Sequence, residues 1–294
     1  MTAITVTDPG ALTTVQDLGR PGHAHLGVPR SGALDQPALR LANRLVGNAE
    51  SAPGLETTLT GVRFVVDHGC RIAVTGARAA LRVDGREVAW GTAVSVPAGG
   101  AVDIGTAYAG LRSYVALAGG LTVEPVLGSC STDLLSGLGP SPLSAGDCLA
   151  LGTPARPAAS GEAVPAPVGA VLRLDPGPRA DWFTPASFAG LDGATYEVGD
   201  ASNRIGLRLL GRALERSRPG ELPTEPVVLG AVQVPPSGQP VVFLHDHPTT
   251  GGYPVVAVVR GADLPVCAQA RPGDLLTLRW AGPPRAEPGR RPRS

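Results

Sequence analysis

Glycine and proline recur so densely in this chain that little room is left for long helices: there are 40 Gly and 30 Pro among 294 residues. Proline removes a backbone donor and glycine carries a high conformational entropy, so both interrupt regular elements. Between them lie short runs of β-type residues, such as 62–66, 71–74, 113–118, 241–244 and 254–259. Several alternate with period two. In Arg204-Ile205-Gly206-Leu207-Arg208-Leu209 the apolar residues fall on one face and the arginines on the other. Many short strands joined by Gly/Pro turns predict an all-β chain of barrels or sandwiches with few short helices, not a βαβ fold.

One helix is expected after Asp35, which can cap it. Pro37 sits in its first turn, Ala38, Leu41, Ala42 and Leu45 form its apolar stripe, and Gly47 ends it. A second, around 181–188, is weakened by Pro185. Composition shifts to Ala, Pro, Gly and Ser across 153–168, which predicts a linker between an N-terminal β lobe (1–152) and a C-terminal one (169–282). The two sides end alike, in Gly146-Asp147-Cys148-Leu149-Ala150-Leu151 and Gly273-Asp274-Leu275-Leu276-Thr277-Leu278, which suggests related lobes. The Pro/Arg-rich tail, 283–294, reads as disordered.

Charge narrows the function. Twenty-five basic and 25 acidic residues balance to zero, and every basic residue is arginine. A neutral chain is a poor non-specific binder of nucleic acid. Without lysine it forms no Schiff base and carries no biotin. The N-terminal segment has no signal-peptide pattern and no run reaches the length of a membrane helix, so a cytoplasmic protein is expected. Cys70, Cys130, Cys148 and Cys267 are scattered, consistent with free thiols rather than a zinc or disulfide framework.

Standard nucleotide-binding, hydrolase and metalloprotease signatures are missing from the sequence. Polar residues on Gly/Pro-rich loops are the alternatives. Gln16, Asp17, Arg20 and Ser31 lie in one such stretch, Ser202, Asn203 and Arg204 in a second, and Gln233 in a third with the acidic Glu225 nearby. Each either contacts a ligand or satisfies a tight turn. Thr249-Thr250-Gly251-Gly252-Tyr253 offers hydroxyls and backbone N–H groups to an oxyanion or phosphate, or forms a hairpin loop. His245 and His247 stand two apart, but Pro248 interrupts the strand and no third ligand is evident, so no metal is expected.

Together these segments resemble one family. Pro-Gly-x-x-Thr-Thr-Val-Gln-Asp-x-Gly-Arg (Pro9 to Arg20), Gly-Val-Pro-x-Ser-Gly-Ala-x-Asp (Gly27 to Asp35) and Leu-Gly-Ser-Cys-Ser-Thr-Asp (Leu127 to Asp133) occur in order. So do Ser-Asn-Arg-Ile-Gly-x-Arg-Leu-x-Gly (Ser202 to Gly211), Gly-Ala-Val-Gln-Val-Pro-Pro (Gly230 to Pro236) and Thr-Thr-Gly-Gly-Tyr-Pro (Thr249 to Pro254). The order is similar to that of the family that holds the C subunit of 5-oxoprolinase and the second subunit of allophanate hydrolase, also called KipA-like. The resemblance implies a cyclophilin-like β-barrel architecture and partnership with a KipI-like chain and a LamB/YcsF-like chain. It further implies an ATP-dependent 5-oxoprolinase that opens 5-oxo-L-proline to glutamate, with ATP bound by a chain that the sequence does not identify. On that resemblance Arg204 or Arg20 holds the substrate carboxylate, and Gln16, Asn203 and Gln233 orient the amide. Thr249 to Gly252 meet phosphate or oxyanion, and Asp17 or Glu225 acts as acid/base. Family relatives also form the carboxyltransferase half of biotin-dependent urea carboxylase, and others antagonise a KipI-like kinase inhibitor. Many members carry Asp-Arg-Gln where this chain has His245-Asp246-His247-Pro248.

Overall fold

The structure, a computed structural model, describes residues 2–154, 169–220 and 222–282. The tail from 283 and all but the first two residues of the expected linker lie outside the described residues. No helix among them is long and apolar enough to cross a membrane.

The first lobe is a pair of antiparallel sheets sharing one core. The six-stranded sheet runs Cys148–Ala150, Ala3–Asp8, Arg63–Val66, Ala101–Ile104, Leu81–Val83, Arg86–Val88. The five-stranded sheet runs Leu12–Gln16, Gly54–Thr58, Ala109–Leu117, Cys70–Arg78, Val94–Val96. Ile4, Val6, Phe64, Val66 and Ile104 from one meet Val15, Leu55, Ile72, Val74 and Val115 from the other. Cys70–Arg78 is buried on both faces. Ile72 and Val74 enter this core, while Ala73 turns outward beneath a helix, Gln36–Val46. Period-two alternation explains the split, and small residues on the helix side let it pack closely. The helix forms as expected: the Asp35 carboxylate accepts the Ala38 N–H at 3.1 Å, Pro37 occupies the first turn, and Gly47 closes it at φ 83°. Its Leu41, Ala42, Leu45 and Val46 press on Ala73, Ala116 and Ala118.

The second lobe is a closed seven-stranded barrel in the order Val171–Pro176, Val255–Val259, Ala231–Gln233, Val241–Phe243, Gly206–Leu210, Thr195–Val198, Leu275–Trp280. The last strand returns to the first in parallel, Leu172 opposite Leu278. Closure leaves no barrel edge to aggregate. Pro185 opens the short helix Pro185–Ala189 instead of breaking one, because a missing N–H is harmless in the first turn. A further helix, Leu264–Gln269, is not anticipated from sequence, although Pro265 again marks its first turn.

The lobes are fastened to each other. Leu34, from the loop before the first helix, is buried in the barrel's core cluster. Gln269, ending the last helix, accepts from the Leu111 and Arg112 N–H groups at 3.0 Å each and donates to the Asp35 carboxylate at 2.9 Å and Arg112 O at 3.0 Å. Arg271 donates to Gly110 O and Ala107 O, both at 2.6 Å. One side chain thus serves a bulged strand as a neighbouring strand would. The fit needs Gly110, at φ 77°, since a Cβ there would stand 2.8 Å from Gln269 Oε1.

Candidate functional site

Of the residues singled out from sequence, Gln16, Asp17, Arg20, Ser31 and Arg204 meet where the loops of the first lobe cross the barrel. Residues 17–35 double back on themselves. Ala33 N–H donates to Asp17 O at 2.9 Å and Arg20 N–H to Arg30 O at 2.6 Å. The crossing depends on Gly19 and Gly32, at φ 85° and 96°; a Cβ on Gly32 would lie 2.8 Å from Gly19 N. Between them Ser31, fully buried, is held at φ 53°, a left-handed conformation that is uncommon for a residue other than glycine.

Asp17 knots this loop to 129–133. Its Oδ1 accepts from Gly19 N–H at 2.7 Å and from the Ser129 and Ser131 hydroxyls at 2.6 Å each, and its Oδ2 accepts from Cys130 N–H at 2.7 Å. Arg20 lies alongside, donating Nε to Val126 O at 3.2 Å and Nη2 to Ser129 O at 3.5 Å and to Ser131 O. Its Nη1 has no partner, and burial pulls its pKa below the ordinary arginine value. Gln16 donates to Thr14 Oγ1 and to Thr132 O, both at 3.0 Å, and keeps Oε1 unpartnered.

Arg204 is the centre of the lobe junction and is 1% exposed. It grips Asp246 through Nε at 2.8 Å and Nη2 at 2.9 Å, donates Nη1 to Glu56, and donates Nη2 to Gly32 O at 2.8 Å. Burial opposes its charge, but Asp246 and Glu56 outweigh it and raise its pKa above the ordinary value. Glu56 Oε2 also accepts from Leu34 N–H at 3.0 Å and Tyr114 Oη at 2.8 Å. Burial pushes the Glu56 carboxyl up, yet Arg204 and Arg112 together bring it below the usual range. Every guanidinium nitrogen of Arg204 is therefore occupied by protein, so it joins the lobes and has no free donor for a substrate carboxylate. The sequence pattern puts it beside Arg208 on one polar strand face; the strand begins at Gly206, and only Arg208 is exposed.

The second group surrounds the loop after strand Val241–Phe243. His245 O accepts from Ser31 N–H at 3.0 Å, while the ring, 3% exposed, leaves Nδ1 unpartnered. The His247 ring stacks on Phe243, with centroids 5.7 Å apart and planes 13° apart, and its Nδ1 meets Pro248 O at 2.6 Å. A carbonyl only accepts, so Nδ1 carries the hydrogen and Nε2 is left as the free nitrogen of the neutral ring. Thr250–Gly251 pairs with Glu225–Pro226, and Gln233 Nε2 donates to Tyr253 O at 2.9 Å. Glu225 Oε2 accepts from Arg179 at 2.9 and 2.5 Å, while Oε1 is unpartnered. Glu225, Gln233 and the 249–253 loop are thus brought together, with Thr250 and Tyr253 exposed.

Ser202 and Asn203 sit in the turn entering strand Gly206–Leu210. Asn203 Oδ1 accepts from Ile205 N–H at 2.8 Å and Gly206 N–H at 3.2 Å, and Ser202 Oγ accepts from Arg208 N–H at 3.0 Å. Sequence reasoning does not single out Glu56, Arg112 or Arg30. Separately, a cleft of about 560 Å³ opens between the lobes near Asp35, Leu41, Trp90, Pro265 and Gln269 and contains none of the site residues expected from sequence.

Residues 26–280 match the family described as carboxyltransferase domain, subdomain A and B. The chain belongs to that family. It is 40% identical over 264 residues to the C subunit of 5-oxoprolinase from Escherichia coli (strain K12), covering 88% of this chain and 85% of that protein. It is 34% identical over 276 residues to the protein of the same name in Haemophilus influenzae, covering 93% and 89%. The crystal structure of the Kluyveromyces lactis urea carboxylase superposes with a TM-score of 0.87 at 29% identity. That superposition covers 94% of this carboxyltransferase-domain chain but only 27% of the urea carboxylase, so it is a match to one segment of a longer protein.

Proposed function

We propose that this chain is the C subunit of a bacterial ATP-dependent 5-oxoprolinase, acting in the cytoplasm with KipI-like and LamB/YcsF-like subunits to hydrolyse 5-oxo-L-proline to L-glutamate. The observation that carries this reading is the 40% identity to the C subunit of a 5-oxoprolinase across most of both chains. The reaction opens an unstrained lactam with a poor leaving group, which calls for donors to the substrate carboxylate and to the developing oxyanion, and for an acid/base group. Asp17 is saturated by four donors, whereas Glu225 keeps one oxygen free beside the 249–253 loop. Glu225 is therefore the better placed of the two for proton transfer. With Arg204 and Asp17 taken up in joining loops and lobes, little catalytic machinery is left exposed here, which fits a protein whose site is completed by another chain.

The second reading is the carboxyltransferase half of a urea or amide carboxylase, favoured by the structural match to urea carboxylase. The 294 residues of this chain include no lysine, so biotin would be attached outside them. The deciding experiment is 5-oxoproline-dependent ATP hydrolysis with glutamate detection in the three-protein mixture, omitting each component in turn. Glutamate that forms only when this chain is present is expected; a folded, assembled complex that makes none overturns the reading.

A further inference from the structure

Four arginines converge where the loops cross the barrel, and three make hydrogen bonds to the protein, although Arg20 Nη1 and Arg112 Nε are also buried without a partner. Arg20 binds carbonyls of the 126–131 loop, Arg204 binds Glu56 and Asp246, and Arg112 donates to Ala268 O at 2.6 Å with Glu56 at 3.7 Å. Arg30 is the exception. Its side chain has no hydrogen-bond or ion-pair partner among the described residues, and its Nε is buried without one. The deeply buried His245 has an orphaned Nδ1. Leaving such groups unpaired costs about 1–3 kcal/mol each, more for a charged one, so native proteins rarely tolerate them without a ligand or water to complete them.

We propose that Arg30, with His245 and His247 beside it, binds the carboxylate of a small ligand. On the reading above, on which this rests, that ligand is 5-oxo-L-proline. The assignment moves the carboxylate from Arg204 and Arg20, which the protein holds, to Arg30, which has no protein partner among the described residues. Ser31 fixes the place: its N–H donates to His245 O at 3.0 Å from a left-handed backbone, which ties the adjacent Arg30 to the histidine segment. The surroundings want an anion. Burial, then Arg204, Arg30, His247 and Arg112, depress the His245 pKa. Burial depresses His247 as well, with Arg30 adding to it, while the Pro248 carbonyl and Asp246 oppose. An entering carboxylate would accept from Arg30 and offset this positive field, so its binding draws both histidines toward protonation. The neutral substrate of a urea carboxylase would leave them unmoved, so the site favours the acid over urea.

The test is an NMR titration of the histidine ring protons, assigned with His245→Gln and His247→Gln, on the chain alone and in the assembled complex. The probes are 5-oxo-L-proline, 2-pyrrolidinone (the same lactam without the carboxylate), urea and inorganic phosphate. Expected are saturable binding of 5-oxo-L-proline, a move of both histidine titrations to higher pH, and about 10- to 100-fold weaker binding in Arg30→Gln, the range for a charge-assisted hydrogen bond. Arg30→Lys should restore part of the loss, and 2-pyrrolidinone should not distinguish wild type from Arg30→Gln. Because the Arg30 side chain has no protein partner among the described residues, Arg30→Gln should melt as wild type does. Binding that ignores the Arg30 substitution overturns the site, as does an Arg30-dependent response to phosphate alone. The two proposals separate cleanly. Turnover with a KM unchanged by Arg30→Gln removes the site and keeps the oxoprolinase reading. Arg30-dependent carboxylate binding in a complex without turnover does the reverse.

Discussion

Replacing Arg204 with alanine tests whether this arginine is a joint of the fold or a ligand contact. The substitution leaves Glu56 and Asp246, 1% and 0% exposed, as two buried carboxylates without their shared cation. It also deprives Gly32 O of its donor. Removing one partner of a buried ion pair costs about 3–5 kcal/mol, because the abandoned charge remains desolvated. With total stabilities of about 5–15 kcal/mol, that is a large share. At about 2–4 °C per kcal/mol for a chain of this class, the melting temperature should fall by about 6–20 °C. Circular dichroism melts and urea titrations of the purified chain measure it. The gap to wild type should narrow as pH falls. In wild type the Glu56 carboxyl titrates below its ordinary value, so its contribution is present above that value and lost on acidification. In the variant the orphaned carboxyls gain from protonation, so the variant is worst at high pH. Joint replacement Arg204→Met/Asp246→Asn should be less damaging than Arg204→Ala alone, since it removes one charge of each sign and leaves Glu56 with Arg112. A loss below about 1 kcal/mol in Arg204→Ala, with no pH dependence, would refute the structural assignment.

Wild-type stability should decline as pH drops from about 7.5 to 5.5. Folded His245 and His247 resist protonation, so the unfolded chain takes up protons first, at up to about 1.4 kcal/mol per pH unit for each histidine; His245→Gln should flatten the melting-temperature profile, and an unchanged slope would count against the burial argument. Gln269→Ala orphans the Leu111 and Arg112 amides and should cost about 2–4 kcal/mol, with those two amides losing hydrogen-exchange protection ahead of the barrel strands. Among the thiols, exposed Cys148 should react first with Ellman's reagent. Buried Cys267, its pKa pushed up to about 12, should react only on unfolding, so fast labelling of Cys267 would show the last helix opening from the barrel.

How much of this is legible in the sequence divides along a physical line. Strands and the first helix are readable because their causes are local: period-two burial in 72–74, an Asp cap, a Pro in the first turn, a Gly at the end. Pro185 misleads because the same residue that breaks a helix interior starts one well. The sheet orders and the parallel barrel closure are not readable, since they pair residues about a hundred positions apart.

The site shows the same division more sharply. The motifs mark 17–31 and 202–204, which are largely loops, and 245–253, which includes the short strand Thr250–Gly251; the fold gathers 16–31, His245 and Asp246 at the lobe junction with Arg204. But an arginine's role depends on what faces it, and spacing carries no record of that. Arg204 reads as a ligand contact and proves to be clasped by Glu56, 148 residues away, and by Asp246, 42 away. Arg30 reads as an ordinary loop residue, and its interest lies in a side chain that lacks any such partner among the described residues. Holding a buried ion pair across two lobes and leaving beside it a cation without a partner among the described residues are complementary arrangements. The first fixes the loop geometry, with Ser31 at a strained φ tied to the histidine segment. The second leaves, at the fixed place, a charge to be neutralised by something other than the protein. An arginine without a protein partner among the described residues, set beside two histidines that burial keeps neutral, gives the proposed site a specific chemical meaning: its missing member is an acid.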